Sequence, residues 1–275
     1  MGTIEHNLHR NPAGRLLAAD EPKPVTVHNA GGRSPLLIVA DHAGNRIPRA
    51  LGTLGVSDSE RARHIGWDIG IAPVCRLLAD ALDACLIQQN YSRLVIDCNR
   101  PPGSETSMPV ISELTPIPGN IGLSEADKAA RISEVFQPYH DAIAIELDRR
   151  KLSGLPVALI AMHSFTPLYK GVARPWHAGV LYNRDARFAQ RLRLLLEQET
   201  HLVVGDNEPY SVDDFTDHTI PVHGERRALH HIAIEIRQDL IGAEAGQIEW
   251  AERLARLLPV AYRESLAAEN AAPGR

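Results

Sequence analysis

Cysteine is scarce in this chain: three among 275 residues, at Cys75, Cys85 and Cys98, with no C-x-x-C spacing. An odd, scattered set argues against a disulfide framework and a cysteine-based zinc site, and marks the three as small core residues. Long apolar runs are also missing. The longest, "LLIVA" and "LPVALIAM", fall far short of the roughly 20 residues that cross a bilayer. Basic charge is in deficit, with a formal net charge of −5, which leaves no electrostatic footprint for nucleic acid. The stretch "MGTIEHNLHRNPAG" holds no apolar signal core, so a cytoplasmic location is expected. No repeat or low-complexity tract divides the chain. The expectation is one domain over residues 1–275, with loose ends at about 1–22 and 267–275.

What is present is a chain 44% hydrophobic and 23% charged, enough apolar material for a substantial core. Short apolar runs alternate with longer periodic segments. Residues 35–40, 84–97, 156–162, 177–182, 201–205 and 230–236 read as strands or strand pairs. Residues 68–84 space Val74, Leu77, Leu78, Ala81 and Leu82 on one helical face. Residues 123–154 open on Ser124 as an N-cap with Asp127 three positions on, end near Gly154, and carry Pro138 as a bend. Residues 185–200 and 244–269 supply two more amphipathic helices. This alternation predicts an α/β fold: a central, mostly parallel (mixed) sheet flanked by helices. Ligands of such folds bind beyond the carboxyl ends of the strands.

Chemistry-bearing residues gather at those ends. In "LLIVADHAGNRIP" a buried strand delivers His42 into a small-residue loop, with Asp41 beside it as an acceptor for an imidazole. "VALIAMHSF" repeats the pattern with His163. Two strand-end histidines on neighbouring strands converge as zinc ligands do. "YSRLVIDCNRPPG" places Arg93, Asp97, Asn99 and Arg100 around an apolar run; a guanidinium fork suits a carboxylate, and Arg100 is the favoured clamp, with a surface salt bridge as the plainer alternative. "HHIAIEIRQDL" has period two, which makes it a strand and puts Glu235 on a largely buried element. Desolvation there raises a carboxyl pKa and suits a general base; a Glu235–Arg237 ladder pair is the competing reading. Arg174 and His177 in "GVARPWHAGVLYNRD", with Asn207 and Tyr210 in "GDNEPYS", read as pocket lining. His64 reads as a helix-end residue. Asp68 either caps the following helix or reaches a metal.

Taken in order, "VADHAGNRIP", "IGWDIG", "YSRLVIDCNRP", "MHSFTP", "RPWHAGVLYNRD", "GDNEPYS" and "IEIRQDLI" make the chain resemble the N-formylglutamate amidohydrolase family over residues of about 35 to 245. That family is similar to the zinc carboxypeptidases and aspartoacylases. The resemblance implies a zinc-carboxypeptidase-like (phosphorylase/hydrolase-like) sheet and one zinc or related divalent ion held by His42 and His163. It also implies Asn99 and Arg100 on a substrate carboxylate, Arg93 or Arg174 on a second, and Glu235 as the base that activates water. The relatives' H-x-x-E glutamate is here Asn45, a weak zinc ligand. Asp68 is the preferred third ligand, Asn45 the next and Asp41 the third. The implied reaction is hydrolysis of N-formyl-L-glutamate to formate and L-glutamate. Cleavage of another N-acyl amino acid or a peptide end, and metal-free binding of an acidic metabolite, are the alternatives. The partner expected is a small acidic substrate, with no nucleic acid and no membrane.

Overall fold

A computed structural model describes residues 15–271. The chain runs β1 (Val25–His28), β2 (Leu36–Ala40), α1 (Asp58–Arg61), α2 (Ile71–Leu82), β3 (Cys85–Gln89), β4 (Ile111–Ser112) and β5 (Thr115–Pro116). It continues through α3 (Glu125–Arg131), α4 (Gln137–Leu152), β6 (Ala158–Phe165), β7 (Leu168–Tyr169), β8 (Val172–Ala173) and β9 (Ala178–Leu181), then α5 (Arg187–Glu197), β10 (Val204–Asp206), β11 (His230–Arg237) and α6 (Glu244–Ala271). Seven strands form one sheet in the order β1-β3-β2-β6-β11-β9-β10. The central four are mutually parallel, β1 and β9 run against their neighbours β3 and β11, and β10 is parallel to β9. This is the mostly parallel, mixed sheet that the alternating pattern predicts.

Every residue of β2, β3, β6 and β9 is buried, as a sheet covered on both faces requires. The period of two sorts the side chains between those faces. Leu36, Ile38, Ile160, Met162, Ile232, Ile234 and Ile236 share one cluster with residues of α2, α5 and α6. Leu37, Val39, Leu159, Ala161 and Ala233 share the other with Tyr139, Ile143 and Leu147 of α4. Glu235 and His163, two positions beyond Ala233 and Ala161, fall on this second face. Glu235 is therefore on the opposite side of its strand from the three isoleucines. Cys75, Cys85 and Cys98 are buried and free. No described helix is long and apolar enough to cross a membrane.

Two expectations are corrected. The run 84–97 is not one strand pair: β3 stops at Gln89, where the Gln89 side-chain oxygen accepts from the Asn90 and Tyr91 N–H groups and turns the chain. Leu94, Val95 and Ile96 are buried without a ladder. The carbonyls of Leu94 and Val95 accept instead from the Asn120 amide and the Arg131 guanidinium, at 3.0 and 2.9 Å, so side chains satisfy the backbone. Residues 123–154 hold the expected helical run: Ser124 caps α3 by accepting from the Asp127 N–H, and a π-helical stretch, Ile132–Phe136, joins α3 to α4 without a break just before Pro138. Pro138 lacks the N–H that a regular turn would donate there, and a wider turn absorbs the loss. Finally, the ends are ordered where described. Leu16 and Leu17 are buried and their N–H groups donate to Glu134; α6 continues to Ala271. Residues 1–14 and 272–275 lie outside the described range.

Candidate active site

The carboxyl ends of β2, β6 and β11 meet three connecting segments: the turn after β3, the loop before α2 and the loop after β10. The loop after β2 seats against the turn after β3 because position 44 is glycine; a Cβ there would lie 2.1 Å from the Asn90 carbonyl. Around this edge lies a pocket of about 600 Å³ lined by His42, Asp68, His163 and Glu235 among others.

His42, Asp68 and His163 form a buried cluster whose possible ligand atoms all lie within 4.8 Å of one another. The His163 Nδ1 is 3.1 Å and the His42 Nδ1 3.5 Å from the Asp68 Oδ2. The opposite nitrogen of each ring faces another carboxylate: His42 Nε2 is 2.7 Å from Asp97 Oδ1, and His163 Nε2 is 3.2 Å from Asp41 Oδ2. Those partners fix both rings with Nδ1 inward. Asp68 comes to the cluster because its N–H donates to the His42 carbonyl, while its Oδ2 accepts from the Ser164 N–H. Asp41, expected beside the imidazole of His42, serves His163 instead and accepts from the Thr219 hydroxyl at 2.7 Å. Asn45 turns away to donate to the Arg61 carbonyl.

Charge is closely matched here. Burial works against charge on Asp41 and Asp68, but the two histidines outweigh it and hold both carboxyls well below their usual range. Burial likewise disfavours a charged Asp97, and Arg93 and His42 override it. Burial and Arg93 oppose a charged His42, yet Asp97 and Asp68 raise its pKa; Asp41 and Asp68 raise that of His163 against the same burial. The donor set suits a divalent cation. The His42 Nδ1 is buried with no hydrogen bond, and two imidazoles plus a carboxylate are the ligands of an open zinc site.

Glu235 stands across from this cluster. Its Cα is the register partner of that of His163 in the parallel ladder, and its Oε2 is buried without a hydrogen bond. Burial pushes its pKa up to about 7. Arg237 pairs with Asp239, so no Glu235–Arg237 ladder pair forms.

Arg93, Asn99, Arg100, Asn207 and Tyr210 also line the pocket. Arg93 gives two N–H groups to the Asp97 carboxylate, at 3.0 and 2.7 Å. Asn99 is committed at both ends of its amide: it donates to Asp217 and accepts from the His218 and Thr219 N–H groups. Arg100 donates one nitrogen to the Asn99 and Thr216 carbonyls and lies 3.5 Å from Asp217. The Asn207 side chain accepts from the Tyr182 N–H, which holds the loop after β10. Arg174 lies against the rings of Tyr169 and Tyr210, at 4.6 and 4.7 Å, and donates to the Tyr210 hydroxyl. His177 is not brought to the pocket; its Nδ1 accepts from the Val203 N–H, beyond the edge of β9. His64, assigned from sequence only to a helix end, is a lining residue. Residues 62–67 are turns and bends ahead of α2, and no periodicity marks His64 as a lining residue.

A buried histidine–aspartate cluster opposite an unpaired glutamate, set at the carboxyl edge of an α/β sheet, is the equipment of a hydrolytic enzyme. Residues 34–242 match the family model described as N-formylglutamate amidohydrolase. The chain belongs to that family and is an amide-hydrolysing enzyme. It is 25% identical over 254 residues to the N-formylglutamate deformylase of Pseudomonas putida, covering 86% of this chain and 92% of that one. Among solved structures, a gene product of Agrobacterium tumefaciens superposes with a TM-score of 0.88 at 39% identity, over 93% of this chain and all (100%) of that one. The N-formylglutamate amidohydrolase of Ralstonia eutropha shares the fold, with a TM-score of 0.61 at 20% identity over 90% of this chain and 100% of that one.

Proposed function

We propose that this site hydrolyses the amide of N-formyl-L-glutamate to formate and L-glutamate, with a single divalent ion, zinc by ligand type, held by His42 Nδ1, Asp68 and His163 Nδ1. The supporting observation is Glu235: a buried, unpaired carboxylate in register with His163, its pKa near 7, is poised to move protons near neutral pH rather than merely to bind. When bound, the ion supplies Lewis-acid polarisation of the acyl carbonyl and makes a water acidic enough to react near neutrality.

The chain's own residues do the rest. Glu235 takes a proton from the attacking water as the carbon–oxygen bond forms, then returns it to the amide nitrogen as the carbon–nitrogen bond breaks. The products are the free amine and the carboxylic acid. Asp97 and Asp41 keep the two imidazoles oriented. Arg100 retains guanidinium N–H groups for the α-carboxylate, and Asn99 anchors the 216–219 segment beneath it. Arg174, with no carboxylate in ion-pairing distance among the described residues, offers its charge to a second carboxylate. Arg93 is occupied by Asp97 and sets the local charge.

The test is amine release from a panel of N-acyl amino acids by metal-loaded and chelated protein, with metal content measured alongside. N-formyl-L-glutamate should be cleaved by the loaded protein alone. His42→Ala and His163→Ala should each lose the ion, and Asp68→Ala should lose it where Asn45→Ala keeps it. Full metal content in both folded histidine variants would overturn the assignment.

A further inference from the structure

His64 lies four residues before Asp68 on the pocket wall and has no place in the chemistry above. Its Nε2 edge is buried, 3.4 Å from Glu113 Oε2 and without a hydrogen bond. No hydrogen bond engages Nδ1, which leaves that edge to the cavity. Its ring meets Tyr169 edge-on, with centroids 6.4 Å apart, and Arg174 lies over the Tyr169 ring at 4.6 Å. One tyrosine ring thus contacts both an imidazole and a guanidinium. The guanidinium is fixed further by Tyr210, whose ring it overlies and whose hydroxyl accepts from it.

The surroundings determine the sign of what fits. Facing the imidazole are Glu113 from the β4–β5 turn, Tyr169 from β7, Arg63 from the same loop, Arg93 from the turn after β3 and Arg174 from the segment after β8. Glu113 is already spent: it pairs with Arg63 and accepts from the Lys170 N–H. Arg63 and Arg93 are spent on carboxylates as well. Arg174 is the unmatched charge, and the Nδ1 edge of His64 is the unmatched hydrogen-bonding group. A planar anion fits between a guanidinium and an imidazole better than an amide or an apolar side chain does.

We propose that His64 is a specificity-determining residue which, together with Arg174, receives the side-chain carboxylate of the N-acyl amino acid. The inference rests on the hydrolase reading above and restricts its substrates to those with acidic side chains. Burial, aided by the neighbouring arginines and opposed by Glu113, lowers the His64 pKa. A carboxylate arriving at Nδ1 places an anion on each edge of the ring, so binding takes up a proton.

The experiment compares N-formyl-L-glutamate with N-formyl-L-glutamine, which has the same shape without the charge, on metal-loaded wild type, His64→Asn and Arg174→Gln. Asparagine keeps a neutral donor near Nδ1 and removes the titration. The wild type should favour the acid. His64→Asn should raise the KM for the acid by about tenfold, the difference between a hydrogen bond from a charged donor and one from a neutral donor, with a much smaller change in kcat and little change for the amide substrate. The wild-type KM for the acid should rise between about pH 6 and about pH 8, and the variant should flatten that rise. Equal losses on both substrates, or a loss in kcat alone, would make His64 a structural wedge and overturn the proposal. Calorimetric binding of L-glutamate and L-glutamine provides a readout independent of turnover. If no N-acyl amino acid is cleaved, yet glutamate is preferred and that preference falls in His64→Asn, the hydrolase reading fails and the subsite stands. If neither variant alters the preference, the subsite fails.

Discussion

Glu235 has an ordinary pKa of 4.5 that burial raises to about 7, and the sign of the consequence follows. Between those values the folded protein holds a proton that the unfolded chain has released, so stability falls as pH rises toward 7. Glutamine at that position is neutral throughout. Chelated Glu235→Gln should therefore gain thermal stability relative to wild type as the pH is raised from about 5 to about 8, while the loaded variant loses roughly a hundredfold or more in kcat, as removal of a positioned base does. Melting curves of both proteins against pH, beside the rate, check the pair of effects. A variant that kept its rate would leave Glu235 a structural residue. His42, His163 and Glu235 were legible in the sequence because each sits where an apolar strand gives way to a polar turn or where period two exposes a polar residue on a buried strand; Asp68, ahead of α2, was legible only as a helix cap or a ligand. Which carboxylate stands behind which histidine was not: Asp41, legible as an imidazole acceptor, faces His163, while Asp97 reaches His42 from a turn that follows a different strand, and no local pattern records such a partner.

At the scale of elements, the turn after β3 depends on a residue with no part in the chemistry. Arg131, fully buried in α3, donates to the carbonyls of Val95 and Gly119 and to the Asn120 side chain. Arg131→Met keeps most of the volume but strips those carbonyls of their partners; a loss of about 2–4 kcal/mol is expected, from several unsatisfied buried groups. Because Asp97 follows this turn, metal affinity should fall with stability, and denaturant melts with metal titration measure both. Gly179 poses the opposite problem, that of space. It is the register partner of Glu235 in β9, and a Cβ there would stand 2.0 Å from the Glu208 carbonyl oxygen. Gly179→Ala should cost about 1–3 kcal/mol as an overpacked core position and should impair turnover by displacing the loop that carries Tyr210. The distortion beside Pro138 was legible from the proline itself, which has no N–H to donate. The early end of β3 was not, because there side chains rather than apolar periodicity decide where the backbone hydrogen bonds go.

Over the whole molecule, the middle strands end in a balanced set of charges. Asp41, Asp68 and Asp97 face Arg93 and two histidines whose pKa values are raised. Protonated, the histidines supply the two positive charges that a divalent ion would bring. The metal-free protein should thus fold, but the histidine contribution is present below their unfolded pKa and is lost as pH rises through the higher folded values. Its melting temperature should drop on the alkaline side much more steeply than that of the loaded protein, and metal addition should release protons, read in a weakly buffered titration. The pairing of His163 with Glu235 has a further consequence, for inheritance. Their separation is set by the backbone ladder of β6 and β11, whereas Arg100, Arg174 and His64 are carried on connecting segments outside the main sheet. Insertions and substitutions can therefore accumulate in those segments without moving the reacting groups. Descendants of this scaffold are free to change what they eat while keeping the same way of cutting it.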